Sequence, residues 1–422
     1  MASAFSVLKQ RDFGIFWTAA AISNAGGWMQ IVALPEIVYE IRKSAAVLGL
    51  AALIGVIPTL LLAPIAGFLA DRYSRRKLLI ITQTIMMVVA FTLWGLYITD
   101  RLTIGLIMTL TVINGGAAGL NFPVWTSLIP TLVDRVDLVP AVRLNSLQFT
   151  AGRLVGPMAA AFVIGQWGPG SAIFTNAITF VLVLAALVVV KPRATQQMDR
   201  DAKIWSSVRD GATFVWRQPT LRTIVMMTWL AGIFVMGYIQ QSPAVAHEAL
   251  GRSDNSFNTV LIFGMGVGAV ITSIFIITRG DLFRPSTWLT LATVGFIVGS
   301  GVLAATRIDG VGFVGYVILG MSQMAVNVPA NSVMQTLTPD QMRGRVVSMY
   351  MLAALSGTPM GAQLIGVLAD TTTMRNALMI MSIGAAVLFV MLRVLGSLHH
   401  IDAKRLIDLD GATTPASIAP GT

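Results

Sequence analysis

The sequence predicts an all-α polytopic membrane protein, with twelve transmembrane helices in two six-helix bundles, and three observations carry that prediction. Residues are 55% hydrophobic and only 11% charged over 422 positions, too few charges to cover a water-soluble fold of that length. Apolar stretches long enough to span a bilayer, about 20 residues each, recur twelve times between polar connectors. The third observation is a repeat. Asn121-Phe122-Pro123 in the fourth stretch is answered by Asn327-Val328-Pro329 in the tenth, and Ser146 precedes Pro157 by eleven residues, as Ser348 precedes Pro359. Two matches in register at corresponding crossings argue for duplicated bundles related by an axis along the membrane normal, with a binding region near the midplane between them.

The crossings fall at about 13–40, 46–70, 78–98, 103–132, 144–165, 171–190, 221–244, 257–278, 285–306, 311–335, 346–369 and 377–396. Met1 to Gln10 carries one lysine and the first apolar run is long enough to span, so the start does not read as a cleavable signal. Residues 1–190 form the N-terminal bundle, 191–220 a linker, 221–396 the C-terminal bundle and 397–422 a tail expected to be disordered. Basic residues near helix ends stay cytoplasmic. Of 29 Lys and Arg, 22 flank the termini, the central linker and the even-to-odd loops, six lie in the opposite loops, and Arg153 sits inside the fifth crossing. Both termini and the linker are therefore expected in the cytoplasm.

The net charge of +10 then reports topology and attraction to anionic headgroups, and nucleic acid is not an expected partner. With no cysteine and three histidines, His247, His399 and His400, neither a metal nor another cofactor is expected. In the linker, Ile204, Val208 and Val215 share one side of a short helix, while Trp205 and Trp216 among basic residues suit the headgroup level.

After the second crossing stands Gly67-Phe68-Leu69-Ala70-Asp71-Arg72-Tyr73-Ser74-Arg75-Arg76-Lys77. Arg72, Arg75, Arg76 and Lys77 hold this loop in the cytoplasm, and Gly67 permits close approach of a neighbouring helix. The segment resembles the loop 2–3 motif of the major facilitator superfamily, G-x-L-x-D-R-x-G-R-K/R. It departs at Ser74, where the family has glycine, so a turn requiring positive φ would be strained there. A carboxylate can bond the unpaired amides of a helix N-terminus, gaining about 0.3–1 kcal/mol when exposed and up to about 2 when partly buried. The resemblance implies that Asp71 latches against the start of the eleventh crossing, near Gly344 to Ser348, in the outward-facing state.

The fifth crossing carries Gly152-Arg153-Leu154-Val155-Gly156-Pro157, similar to the core of the family's antiporter motif, with alanines replacing its last two glycines. Small residues four apart favour close packing, and Pro157 frees a backbone carbonyl. A charge at membrane depth faces a polar cavity or partner, which makes Arg153 a candidate for the central pathway. The block from Ala325 to Asp370, containing Arg343-Gly344-Arg345-Val346, with the GGWMQIVALPEIVYEI segment of the first crossing, resembles the branch holding the enterobactin exporter and macrolide or multidrug efflux pumps. Glu36 departs from that branch, which has a bulky apolar residue there. It is the proton-coupling candidate, because a partly dehydrated carboxyl can load and release a proton; a solvated or ion-paired carboxylate in an outer vestibule is the alternative.

Further pathway candidates are Trp28, Gln30, Asn121, Trp125, Gln148, Tyr238, Gln240, Gln241, Gln323, Asn327, Asn331 and Gln363, of which Gln323, Asn327 and Asn331 form one stripe. No catalytic residues are expected. The resemblance implies a monomeric secondary exporter of a small amphipathic molecule in a bacterial inner membrane, drug-like or siderophore-like, working by alternating access with proton antiport. An importer or facilitator, and a non-transporting scaffold, are the competing readings. A membrane enzyme is opposed by the lack of a phosphate-binding loop, of H-E-x-x-H and of clustered acids within the crossings.

Overall fold

The computed structural model describes residues 4–193, 204–252, 256–279, 283–338 and 340–394. The placement of Gly67, the side chains of Asp71, Arg153 and Trp205, the 397–422 tail and its His399-His400 pair lie outside the described residues. Among the described residues the regular structure is entirely helical.

In the N-terminal half α1 covers Arg11–Arg42, α2 Ala45–Arg72, α3 Arg75–Ile98, α4 Ile104–Leu128, α5 Leu138–Trp167 and α6 Pro169–Val189. The linker holds α7, Ile204–Arg217. The seventh crossing comprises α8, Pro219–Ala231, and α9, Gly237–Ala244, with π-helical turns at Gly232–Met236 and Val245–Ala249. It is followed by α10, Ser256–Arg279, α11, Pro285–Ala305, α12, Asp309–Leu337, α13, Asp340–Thr371, and α14, Met374–Val394. Every predicted crossing is met by one helical run, with ends shifted by no more than a turn or two. By length and composition, and counting only the described residues, 10 of these runs could span a membrane unaided. The other two, α1 and α5, are long enough but carry Asn24, Gln30, Glu36 and Glu40 in one case and Arg143, Asn145, Gln148 and Arg153 in the other. Polar residues at that density need protein on at least one side rather than lipid.

Within the N-terminal half α1 packs on α5 and α6, and α4 on α2 and α3; within the C-terminal half α12 packs on α10 and α11, and α13 on α8 and α14. Across the two halves α2 meets α13, α5 meets α10 and α1 meets α9. The second and fifth crossings of one half thus face the fifth and second of the other, as the repeat in the sequence requires.

The connectors gather on two faces, here named the terminal face, which holds the N-terminus, and the far face, which holds the α1–α2 loop. On the terminal face Gln10 Nε2 donates to Asp137 Oδ2 at 2.7 Å. Arg193 donates to Asp134 Oδ1 at 2.5 Å, and this bond and the guanidinium charge hold the Asp134 carboxyl below its usual range. The linker helix does not float free. Val215 of α7 is buried with Leu221, Ile224, Met334, Val346 and Tyr350, and Gly211 packs on Arg345, so α7 is docked beside the start of α13 while Trp216 stays exposed.

Candidate functional site

The described far-face contacts between the halves start from a two-residue loop. α1 ends with Lys43 at φ 51°, in the left-handed region, its N–H bonded to Tyr39 O at 2.8 Å. Ser44 then caps α2, its side chain accepting from Val47 N at 3.3 Å. This turn sets the first residues of α2 against the end of α13, where Asp370 accepts from Ser44 Oγ at 2.6 Å, Ala45 N at 3.0 Å and Ala46 N at 3.2 Å. Two glycines make the approach possible: a Cβ at Gly366 would collide with Ala45 O, and one at Gly49 would lie 2.7 Å from Ala362 O. Gln241 of α9, fully buried, donates to both Ala45 O at 2.9 Å and Ala362 O at 2.7 Å, binding α2, α9 and α13 together. Gln241→Leu is expected to leave both carbonyls without this donor at a cost of about 1–3 kcal/mol. That loss would be read as a lower thermal midpoint in detergent.

Farther along the same seam Glu36 is 2% exposed and accepts from Asn258 Nδ2 on α10. Glu36 is thus enclosed by protein rather than by solvent. A buried carboxylate needs polar partners, and here one of them comes from the other half. Tyr39 Oη donates to Glu248 Oε1 at 2.9 Å and its ring stacks on His247 at 5.2 Å, again joining the halves.

The fifth-crossing motif acts inside the N-terminal half. Gly152 packs on Asn24 and Gly156 on Trp28, so α1 and α5 touch where a larger residue would hold them apart. Pro157 is buried beside Gly156. Gln30 accepts from Asn176 Nδ2 of α6 at 2.6 Å, and Trp125 lies on Phe16 at 4.6 Å with its Nε1 3.4 Å from Asn145 Oδ1. Asn121 turns its oxygen to Thr82 Oγ1 and Gln83 Nε2 of α3, at 2.9 and 3.2 Å. These side chains make interhelical bonds. Gln148 differs: both its amide atoms are buried and neither has a hydrogen-bond partner among the described residues.

In the C-terminal half Tyr238 is fully buried and meets Phe296 edge-on at 5.9 Å, while its backbone oxygen accepts from Tyr316 Oη at 3.3 Å. Gln323 donates to the Met236 sulfur, and Asn327 O accepts from Tyr350 Oη at 3.4 Å. Asn331 and Gln240 are half-buried, and Gln363 holds a buried Oε1, unpartnered among the described residues, next to the α2 contact. An apolar crevice lined by Met227, Phe234, Leu289, Phe296 and Phe389 lies within this half rather than between the halves.

Two cations of the loop 2–3 motif cap other helices. Arg75 donates to Ser127 O at 3.1 Å, and Arg76 to Leu187 O and Val188 O at 2.5 Å, placing positive charge at the C-terminal ends of α4 and α6. Arg72 and Lys77 are exposed. Ser74 adopts φ −58°, so serine is unstrained where the family has glycine.

Sequence reasoning passed over Tyr39, Asn258 and Asp370. The last left a signal: an acid in the final turn of a helix opposes its own dipole, an unfavourable placement unless another helix start lies beside it.

The fold can be compared with known proteins on this basis. The nucleoside transporter NupG superposes over 91% of this chain and 98% of its own at TM-score 0.72 and 13% identity, which shows a shared major facilitator fold. The sequence pattern of the transmembrane secretion effector family matches residues 2–416. The chain belongs to that family, and it is an integral membrane transporter of the major facilitator type. It is 24% identical to the multidrug efflux pump Tap of Mycolicibacterium fortuitum, over 91% of this chain and 95% of Tap. It is 23% identical to the enterobactin exporter EntS of Salmonella choleraesuis, over 88% and 87%.

Proposed function

We propose that this transporter is a monomeric, proton-coupled exporter of a small amphipathic molecule, drug-like or siderophore-like, in a bacterial inner membrane. Residues 1–190 and 221–396 rock about the seam, joined by 191–220, with both termini cytoplasmic and the far face outside. The names of two relatives, a multidrug efflux pump and an enterobactin exporter, support the cargo class and direction. The excess of basic residues on the terminal face supports the orientation.

The observation that carries the coupling is the enclosed Glu36, bonded across the halves to Asn258. A carboxyl whose partner sits on the opposite body changes surroundings whenever the bodies part, so its affinity for a proton depends on which side is open. The Gln148 amide and the Gln363 Oε1, buried and unpartnered among the described residues, are polar positions that cargo or water would satisfy.

Everted vesicles with an acid interior test this reading, with enterobactin and a macrolide as probes. Uptake that collapses with the proton gradient is expected. Glu36→Gln should reduce gradient-driven accumulation to near background while retaining downhill exchange. Uptake indifferent to the gradient would remove antiport, and full accumulation by Glu36→Gln would remove Glu36 from it.

A further inference from the structure

The ends of α2 and α13 carry the same five-residue pattern. Gly67-Phe68-Leu69-Ala70-Asp71 closes α2, and Gly366-Val367-Leu368-Ala369-Asp370 closes α13. The two helices pack against one another in opposite directions, as the pairing of Ala45 with Gly366 and of Gly49 with Gln363 requires. Carried along both helices, that pairing brings position 71 level with about position 341, in the first turn of α13. Each helix therefore ends in a Gly-x-Leu-Ala-Asp segment at the level where the other begins. At the far face the consequence is visible: Gly366 lets Ala45 come close, and Asp370 receives the hydroxyl of the N-cap and the first two amides of α2. Those amides lack partners within their own helix, and the α2 N-terminus carries partial positive charge.

We propose that Asp370 is the gating latch of the far face: its carboxylate, seated on the start of α2, holds the outer mouth shut and must leave it for that mouth to open. The proposal rests on the alternating-access reading and deepens it. The family resemblance implies a latch at Asp71 for the terminal face alone. The repeated segment makes the antiparallel pair a double-ended clasp, in which one carboxylate seats as the other withdraws. Conformational preference then depends on the balance between two chemically identical latches at opposite ends of one helix pair.

The chain has no cysteine, so spin labels attach only where cysteine is introduced. Pairs at Ile41→Cys with Thr372→Cys on the far face, and Tyr73→Cys with Trp216→Cys on the terminal face, use exposed positions. Distances are measured by electron–electron double resonance in nanodiscs at acid and neutral pH. Asp370→Asn is expected to raise the far-face-open population about tenfold, the shift that losing one or two charge-assisted hydrogen bonds gives. Asp71→Asn is expected to shift the populations oppositely, and the double variant to return close to the parent. Thermal melts of each variant separate lost folding from a shifted equilibrium, and Asp370→Glu, which keeps the charge, should recover part of the closed population. If the parent exchanges between two distances on each face while folded Asp370→Asn leaves the far-face distribution unchanged, the latch is overturned and alternating access stands. If the parent shows one fixed distance on both faces at either pH, alternating access falls and takes the latch with it.

Discussion

Gly366→Val is expected to abolish transport without unfolding the protein. A Cβ at this position would meet the carbonyl oxygen and carbon of Ala45, with Ala46 Cα 2.9 Å away, and backbone cannot swing aside as a side-chain tip can. Valine adds two further methyl groups, so α2 and α13 must separate at the far face. Overpacking of this kind costs about 1–3 kcal/mol. The Asp370 bonds to Ser44, Ala45 and Ala46 lie one turn farther on and would be stretched by the same separation. If closure loses about 3 kcal/mol in all, the ratio of far-face-closed to far-face-open protein falls roughly 100-fold. Within each half the packing is untouched, so the thermal midpoint should move little. Transport in everted vesicles together with a melting curve checks this: a transport-competent Gly366→Val would mean that this seam need not close.

Gly156→Leu should behave in the opposite manner, lowering stability first. Its added Cβ would collide with the Trp28 Cβ and come within 2.9 Å of Cγ, inside the α1–α5 contact of the N-terminal half. Trp28 has no room to retreat cheaply, because the neighbouring residues Met29 and Gln30 are buried and Gln30 is bonded to Asn176. Destabilisation of about 1–3 kcal/mol or more is expected. Lower yield of monodisperse protein and an earlier melt would report it. A Gly156→Leu protein as stable as the parent would remove the packing role of the motif.

The crossings were legible because hydropathy over a spanning length is a local property, and the connectors carry their charges in short runs. The pairing of the halves was legible through Asn121 and Asn327, Pro157 and Pro359, which mark corresponding crossings in the sequence. The direction in which a polar side chain points was not. Asn121 and Gln148 look alike as amides in apolar helices, yet one is bonded to α3 and the other is buried with no amide partner among the described residues. Which neighbour a helix face meets depends on residues more than a hundred positions away, and single-sequence periodicity carries no such information. Asp370 shows the same limit: its three bonds reach across some 325 positions to the start of α2.

The seventh crossing contains two π-helical turns, and it also lies where both halves touch, with α9 beside α1, α2 and α13. A wide turn holds one residue more than its α-helical counterpart, and such a segment can migrate along a helix by exchanging one carbonyl partner for the next. This crossing can therefore twist one portion relative to the other with little loss of backbone bonding. In the proposed alternating-access cycle, slack of that kind would let the far-face end of the helix follow α2 while its other end stays with its own bundle, so that opening would draw on internal rotation as well as on tilting of rigid blocks.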